Sequence, residues 1–140
     1  MLFLFHRLSI NGLNDISNQP FQLDSLPHLI CMCNGEIYNY KILAEKYNFI
    51  LETESDCEII LHLYNILPIQ EFINELDGVF SFIIYDKKTK QIYIGHDPFG
   101  IRALYYSIKD NYLSVSSEMK CLDSYYENNV KFFPPGSYGI

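Results

Sequence analysis

The hydrophobic period of this chain changes once, at Val79, and that change limits the folds open to it. Upstream, between Tyr38 and Leu76, apolar residues recur at helical intervals. Over 79–85 they run almost without interruption, as in a central strand buried on both faces. Polar turns divide the remainder of the chain. Residues 86–90, Asp97-Pro98-Phe99-Gly100 and Asp110-Asn111 separate further predicted strands at 91–95, 103–108 and 112–115. Ser116, Ser117 and Glu118 open a one- or two-turn helix reaching Leu122, and a last strand is predicted at 130–133, before Pro134-Pro135-Gly136. Helices in the middle and a meander of strands afterwards indicate an α+β domain with at least one mostly antiparallel sheet. With 140 residues and one composition regime, a single domain over 1–140 is expected.

Upstream of the change, Met1-Leu2-Phe3-Leu4-Phe5 is too short for a signal-peptide core and has no basic residue before it. It reads as a strand extending to about Ser9 or Ile10. Asn11-Gly12 marks a turn, Asn18-Gln19-Pro20 irregular chain, and 29–33 a short buried strand. Asn34-Gly35 is a strong turn dipeptide, so a strand, a tight turn and a helix are predicted to meet at Cys33-Asn34-Gly35-Glu36-Ile37-Tyr38-Asn39. Such a junction can aim a backbone N–H and a side-chain amide the same way, which suits an oxyanion or small polar ligand; taken alone, Asn-Gly is first of all turn chemistry. Ile42, Leu43 and Tyr47 form the apolar face of the next helix, and Ile50-Leu51 a brief strand or connector. Ser55-Asp56-Cys57-Glu58 has the spacing of a capping box. The helix it opens carries Ile59, Ile60, Leu63 and Leu67 on one face and stops at Pro68. A second helix over 69–76 turns Phe72, Ile73 and Leu76 inward.

Charge narrows the partners. Seventeen acidic residues against 10 basic ones give a net −7 without a Lys/Arg cluster, which argues against nucleic acid and anionic membrane. No run is long enough to span a bilayer, so a soluble, cytoplasmic protein is expected. The 4 cysteines form no disulfide framework. Cys31 and Cys33 share one strand face but lack the second pair of a zinc site, and read as buried reduced thiols. His6, His28, His62 and His96 have no metal-ligand spacing. Taken singly, Asp56 is favourable at a helix start through the dipole, Arg7 is a solvated charge and Glu36 a turn carboxylate.

The order of the pieces says more than any one of them. His6-Arg7-Leu8-Ser9-Ile10, Asn34-Gly35-Glu36-Ile37-Tyr38-Asn39, Ser55-Asp56-Cys57-Glu58-Ile59-Ile60, Leu76-Asp77-Gly78-Val79-Phe80-Ser81-Phe82, Asp97-Pro98-Phe99-Gly100-Ile101-Arg102, Ser117-Glu118-Met119-Lys120 and Pro134-Pro135-Gly136-Ser137-Tyr138 succeed one another in series. That series resembles, from end to end, the glutaminase domain of the asparagine synthetase B type, a class II glutamine amidotransferase of the N-terminal-nucleophile hydrolase superfamily. The resemblance implies a sandwich of antiparallel sheets between helical layers. It also implies hydrolysis of L-glutamine, with the ammonia passed to a second domain that activates aspartate. Asn34, through its side chain, and Gly35, through its N–H, would form the oxyanion hole. Arg7 would hold the α-carboxylate, Glu36 and Asp56 the α-ammonium, and Leu8, Ser9, Ile10 and Asn11 would line the pocket. No cofactor belongs to this domain; ATP and magnesium belong to the synthetase domain.

The sequence departs from that pattern at the nucleophile. The family uses the thiol of a terminal cysteine, with its own α-amine as base, whereas this chain begins Met1-Leu2-Phe3. The family's Cys-Gly-Ile opening and Arg-Gly-Pro-Asp segment have no counterpart, and none of Cys31, Cys33, Cys57 and Cys121 is terminal. Cys33 adjoins the oxyanion pair and is the internal candidate for a substitute. His96 stands where the family commonly carries Arg. The expectation is therefore a domain incomplete at its N-terminus that keeps the pocket and lacks the chemistry, with an uncovered sheet edge and apolar surface open to self-association. The alternatives are a non-catalytic module that binds glutamine or docks on a separately encoded synthetase, and a chain that does not fold stably.

Overall fold

A computed structural model describes residues 1–6, 11–122 and 129–140. The regular elements are β1 (Leu29–Ile37), α1 (Tyr40–Tyr47), α2 (Ile59–Ile66), α3 (Ile69–Glu75), β2 (Gly78–Asp86), β3 (Gln91–His96), β4 (Tyr105–Lys109), β5 (Tyr112–Ser116), β6 (Lys131–Phe132) and β7 (Tyr138–Gly139), with 3-10 turns at Asp15–Ser17 and Asp56–Glu58. One sheet has the order β1-β2-β3-β7 and the other β5-β4-β6; every pairing among the described residues is antiparallel. This is the α+β class that the period change predicts.

The core lies on one face of the first sheet. Leu29, Cys31, Cys33 and Ile37 of β1 alternate inward and join Phe80, Phe82 and Ile84 of β2, Ile59 to Leu63 of α2 and Phe72 of α3. The Phe72 and Phe82 rings sit 5.7 Å apart, and those of Phe80 and Phe82 5.9 Å. The opposite face is only half-covered: Val79, Ile83 and Tyr85 are partly exposed, so β2 is not buried on both faces. The predicted turns after β2 and β4 are present. Asp86 accepts the Lys88 and Thr89 N–H groups, and Asp110 and Asn111 take positive φ of 50° and 65°, as a two-residue hairpin requires.

Several expectations are corrected. Residues 1–6 form no strand, because an extended run becomes one only by pairing and, among the described residues, nothing in the two sheets pairs with them; Met1, Leu2 and Leu4 are exposed, and the rest of the expected strand, over 7–10, lies outside the described residues. Asn34-Gly35 is not a turn: β1 continues through both, with Asn34 opposite Ser81 and Gly35 opposite Phe80, and the chain turns at Tyr38-Asn39. The capping box does not form. The Ser55 side chain makes no cap bond, and the buried Glu58 carboxylate takes the N–H groups of Glu52 at 2.7 Å and Thr53 at 2.6 Å instead. Ile42 lies on the exposed side of α1, which buries only Leu43 fully. Along the outer edge of β1, Phe21 bonds Cys31, and the side chains of Gln19 and Asp56 reach Cys33 and Ile37. Helical chain after β5 starts at 120 rather than 116, and β7 had no signal in the sequence.

Candidate functional site

The C-terminal half of β1 forms one wall of a cavity of about 160 Å³, lined by Phe5, His6, Asn11, Gln19, Cys33, Asn34, Gly35, Glu36, Ser55, Asp56, Cys57 and Arg102. Its chemistry starts from the ladder rule that successive residues of a strand send their N–H and C=O groups to opposite edges. Cys31 exchanges both its bonds with Phe21, on the side away from β2. Cys33 N–H is accepted by Gln19 Oε1 at 2.6 Å and Cys33 C=O receives Gln19 Nε2 at 3.0 Å; Ile37 N–H goes to Asp56 Oδ2 at 2.7 Å. The register against β2 is unbroken, so Gly35, between them in the same phase, also directs its N–H outward, into the cavity. Gly35 has φ of +154°, and a Cβ there would stand 2.1 Å from the Val79 carbonyl oxygen. Only glycine lets β1 approach β2 this closely at that point.

Asp56 closes the second wall. It is 5 % exposed; Oδ2 accepts Ile37 N–H, and Oδ1 receives Asn11 Nδ2 at 3.4 Å. It is placed by the 3-10 turn Asp56–Glu58, which Glu58 anchors through its two backbone bonds and a 2.8 Å contact to His62 one helical turn on. Burial pushes the Glu58 carboxyl up, but His62, Thr53 and the Glu52 N–H together hold it below its ordinary range.

The third wall is Arg102, whose guanidinium lies 3.6 Å from Glu36 Oε1, with both side chains about one-third exposed. The loop before it is held by Asp97. This fully buried carboxylate accepts the N–H groups of Phe80, Phe99 and Ile101, and its carbonyl receives those of Gly100 and Gly136. His96 at the loop's start is buried, and its Nδ1 donates to the Phe133 carbonyl at 3.0 Å, tying the first sheet to the chain after β6.

The thiols near the cavity are poor nucleophiles. Cys57 donates to the Gly35 carbonyl at 3.6 Å; its bond to Cys33 and its burial push its pKa well above the ordinary value. For Cys33 the Cys57 thiol acts to lower the pKa, and burial with the neighbouring Cys31 and Asp56 outweighs it, so the net shift is upward. Burial raises Cys31 well above its ordinary value. A protonated thiol does not attack a carboxamide. Cys121 is exposed and is not among the residues lining the cavity.

Of the residues picked out from the sequence, Asn11, Asn34, Gly35, Glu36 and Asp56 come together around one cavity; Arg7, Leu8, Ser9 and Ile10 lie outside the described residues. Sequence reasoning missed Gln19, Cys57 and Arg102 as wall residues. Arg102 had a signal in the turn before it. Gln19 had none, because nothing local tells that a side chain will bond to a strand 14 residues away. Among the described residues no group of three His, Cys, Asp or Glu could hold a metal, and no helix is long and apolar enough to cross a membrane.

Comparison with known proteins agrees with the architecture. The pattern of the glutamine amidotransferase domain matches residues 2–132. The glutamine-hydrolyzing asparagine synthetases of Mesocricetus auratus and Rattus norvegicus are each 39 % identical over 144 residues, covering 99 % of this chain and 26 % of theirs. The chain thus spans about a quarter of the length of the curated relatives it matches. Among solved structures, the allosteric regulatory enzyme of purine biosynthesis superposes with a TM-score of 0.66 at 23 % identity, over 79 % of this chain and 25 % of that one. Glutamine phosphoribosylpyrophosphate amidotransferase from B. subtilis gives 0.65 at 24 %, over 79 % and 26 %. These likenesses carry the N-terminal-nucleophile hydrolase type of fold.

Proposed function

Because the chain belongs to the glutamine amidotransferase domain family, we propose that its cavity binds L-glutamine, with the side-chain carboxamide against Gly35 and the amino-acid end toward Glu36 and Asp56. The observation that carries this reading is the outward N–H of Gly35, open to the cavity in a strand edge whose neighbouring donors are occupied. An N–H aimed at a carboxamide oxygen strengthens as that oxygen becomes an oxyanion, and one such donor contributes about 3 kcal/mol to lowering the barrier. Asn34 beside it supplies the second donor. Glu36 and the free lone pairs of Asp56 accept the α-ammonium, and Arg7 takes the α-carboxylate by a bidentate bond.

In the chemistry of this family a thiolate attacks the carboxamide carbon, the tetrahedral oxyanion is held by the two donors, the nitrogen takes back the thiol's proton from the α-amine and leaves as ammonia, and water hydrolyses the remaining thioester to glutamate. Cys31, Cys33 and Cys57 hold their protons at neutral pH and Cys121 is not a wall residue. Residues 1–140 therefore bind glutamine without turning it over through an internal thiol. By analogy with the glutamine-hydrolyzing asparagine synthetases, ammonia released where a terminal thiol is supplied would serve amidation of aspartate in the cytoplasm. On this reading the glutamine half needs no cofactor, and ATP and magnesium act at the aspartate half, with which the chain associates.

Titration calorimetry of the 140-residue chain with L-glutamine tests the reading, with D-glutamine and L-glutamate as controls. Heat with L-glutamine and none with D-glutamine is expected; no heat at millimolar ligand overturns it. An ammonia assay on the same protein should stay at the solution background, and turnover above it would show that an internal thiol does attack.

A further inference from the structure

Among the described residues, one outward donor on the edge of β1 stays open, and a side chain determines which one. Pairing by Phe21 backbone ends at Cys31. Had the chain before Phe21 stayed extended alongside β1, its own peptides would have bonded Cys33 and then Gly35, and the cavity would not exist. Instead the Gln19 carboxamide takes over for one residue, accepting Cys33 N–H at 2.6 Å and donating to Cys33 C=O at 3.0 Å. A carboxamide has the donor and acceptor of a peptide but no continuation, so it pairs like a strand and then stops. The next outward donor is Gly35, and the one after it is closed by Asp56.

We propose that Gln19 is a positioning residue for the Gly35 N–H. Its two bonds fix the plane of the Cys33 peptides, and through the extended backbone they set the direction in which Gly35 meets a ligand's carbonyl oxygen. The role needs a group that donates and accepts at once, so a carboxamide serves and a carboxylate or an alkyl group does not. The inference rests on the reading of the cavity as a glutamine site, and the experiment separates the two.

Wild type, Gln19→Leu and Gln19→Glu are compared as full chains by calorimetry with L-glutamine and by the Gly35 amide cross-peak in 15N-labelled protein. With two bonds to backbone removed, Gln19→Leu should bind about tenfold more weakly and show a displaced Gly35 cross-peak. Gln19→Glu should be impaired when ionised and recover when protonated, since a carboxylic acid again donates and accepts. The Cys33 carbonyl raises its pKa and the Cys33 N–H lowers it, so the comparison runs from about pH 8 down toward the chain's isoelectric point near 4.9. His6, Cys33, Glu36, Asp56, Cys57 and Arg102 line the same cavity in both proteins, so the ratio of affinities to wild type at each pH is the quantity read. A purely structural role would move the melting temperature without giving this pH-dependent rescue.

Equal affinity for Gln19→Leu with an unmoved Gly35 cross-peak overturns the inference. So does a pH-independent ratio for Gln19→Glu, which decides the matter if the leucine variant does not fold. Failure of wild type to bind glutamine sinks the reading of the cavity instead; the Gly35 cross-peak of Gln19→Glu, returning toward its wild-type position as pH falls or failing to, then decides on the clamp.

Discussion

Replacing Gly35 by alanine tests at once why β1 has the shape it has and whether that shape makes the site. An added Cβ would stand 2.1 Å from the Val79 carbonyl oxygen, 2.6 Å from Phe80 Cα and 3.0 Å from Phe80 Cβ. The first two are main-chain atoms of β2, which cannot rotate away as the end of a side chain could. Relief requires β1 and β2 to part where Phe80 is itself held by Asp97, through its N–H and its carbonyl. Overpacking of this kind costs about 1–3 kcal/mol. Holding an alanine at φ of +154° adds a separate strain, for which about 1–3 kcal/mol is typical. The sum, about 2–6 kcal/mol, is a large part of the roughly 5–15 kcal/mol that holds a domain folded. At about 3–5 °C per kcal/mol for a chain of this size, the melting temperature should fall by at least about 6 °C, and the larger estimate leaves little folded protein. Thermal denaturation followed by circular dichroism measures this, with Asn34→Ala as the control. Asn34 is half-buried, makes no close main-chain approach of this kind, and should cost under about 1 kcal/mol. In calorimetry both variants should lose glutamine binding, Gly35→Ala because its N–H is displaced and Asn34→Ala because a donor is gone. A Gly35→Ala protein melting within about 2 °C of wild type would refute the close-approach argument.

Three further outcomes are expected. Asp56→Ala leaves the Ile37 N–H without its acceptor and should lower unfolding free energy by about 1–3 kcal/mol in urea with an unchanged m-value; Asp56→Asn, whose amide oxygen can still accept, should recover part of it, and an alanine variant as stable as wild type would contradict this. Glu58 has a folded-state pKa below its ordinary 4.5, so its contribution is fully present above the unfolded-state value and is lost as pH falls through the folded-state value. The acid limb of a stability–pH curve should be shallower in Glu58→Gln, and superimposable limbs would count against the assignment. With a thiol-disulfide reagent near neutral pH, native protein should react at exposed Cys121, while Cys31, Cys33 and Cys57 react only on unfolding; fast labelling of Cys57 would mean that its burial and raised pKa are misjudged.

How much of the fold was legible from the residues alone varies by element. The helix stop at Pro68, the hairpin turns at 86–90 and 110–111 and the inward face of α2 come from local chemistry, and the structure has them where the sequence places them. Asn34-Gly35 misled, because the same dipeptide that favours a turn also tolerates close strand contact, and only the neighbouring strand decides between them. Ser55 and Glu58 misled likewise: their spacing fits a capping box, but Glu58 found better donors in Glu52 and Thr53 once buried. Asn34, Gly35, Glu36 and Asp56 were identifiable through their order along the chain, whereas Gln19 and Arg102 reach the cavity only because distant segments fold against β1.

By itself the sequence determined the class, the meander and its turns, and the acidic, cysteine-poor surface, because propensity, hydrophobic period and charge act over a few residues at a time. Only the tertiary structure decided that Gly35 keeps an open N–H. That depends on the phase of the β1–β2 ladder, on the Gln19 carboxamide ending the pairing on one side and on the Asp56 carboxylate ending it on the other. A hydrogen bond is made once per donor, and which donor is left over is a property of the whole edge rather than of any residue in it.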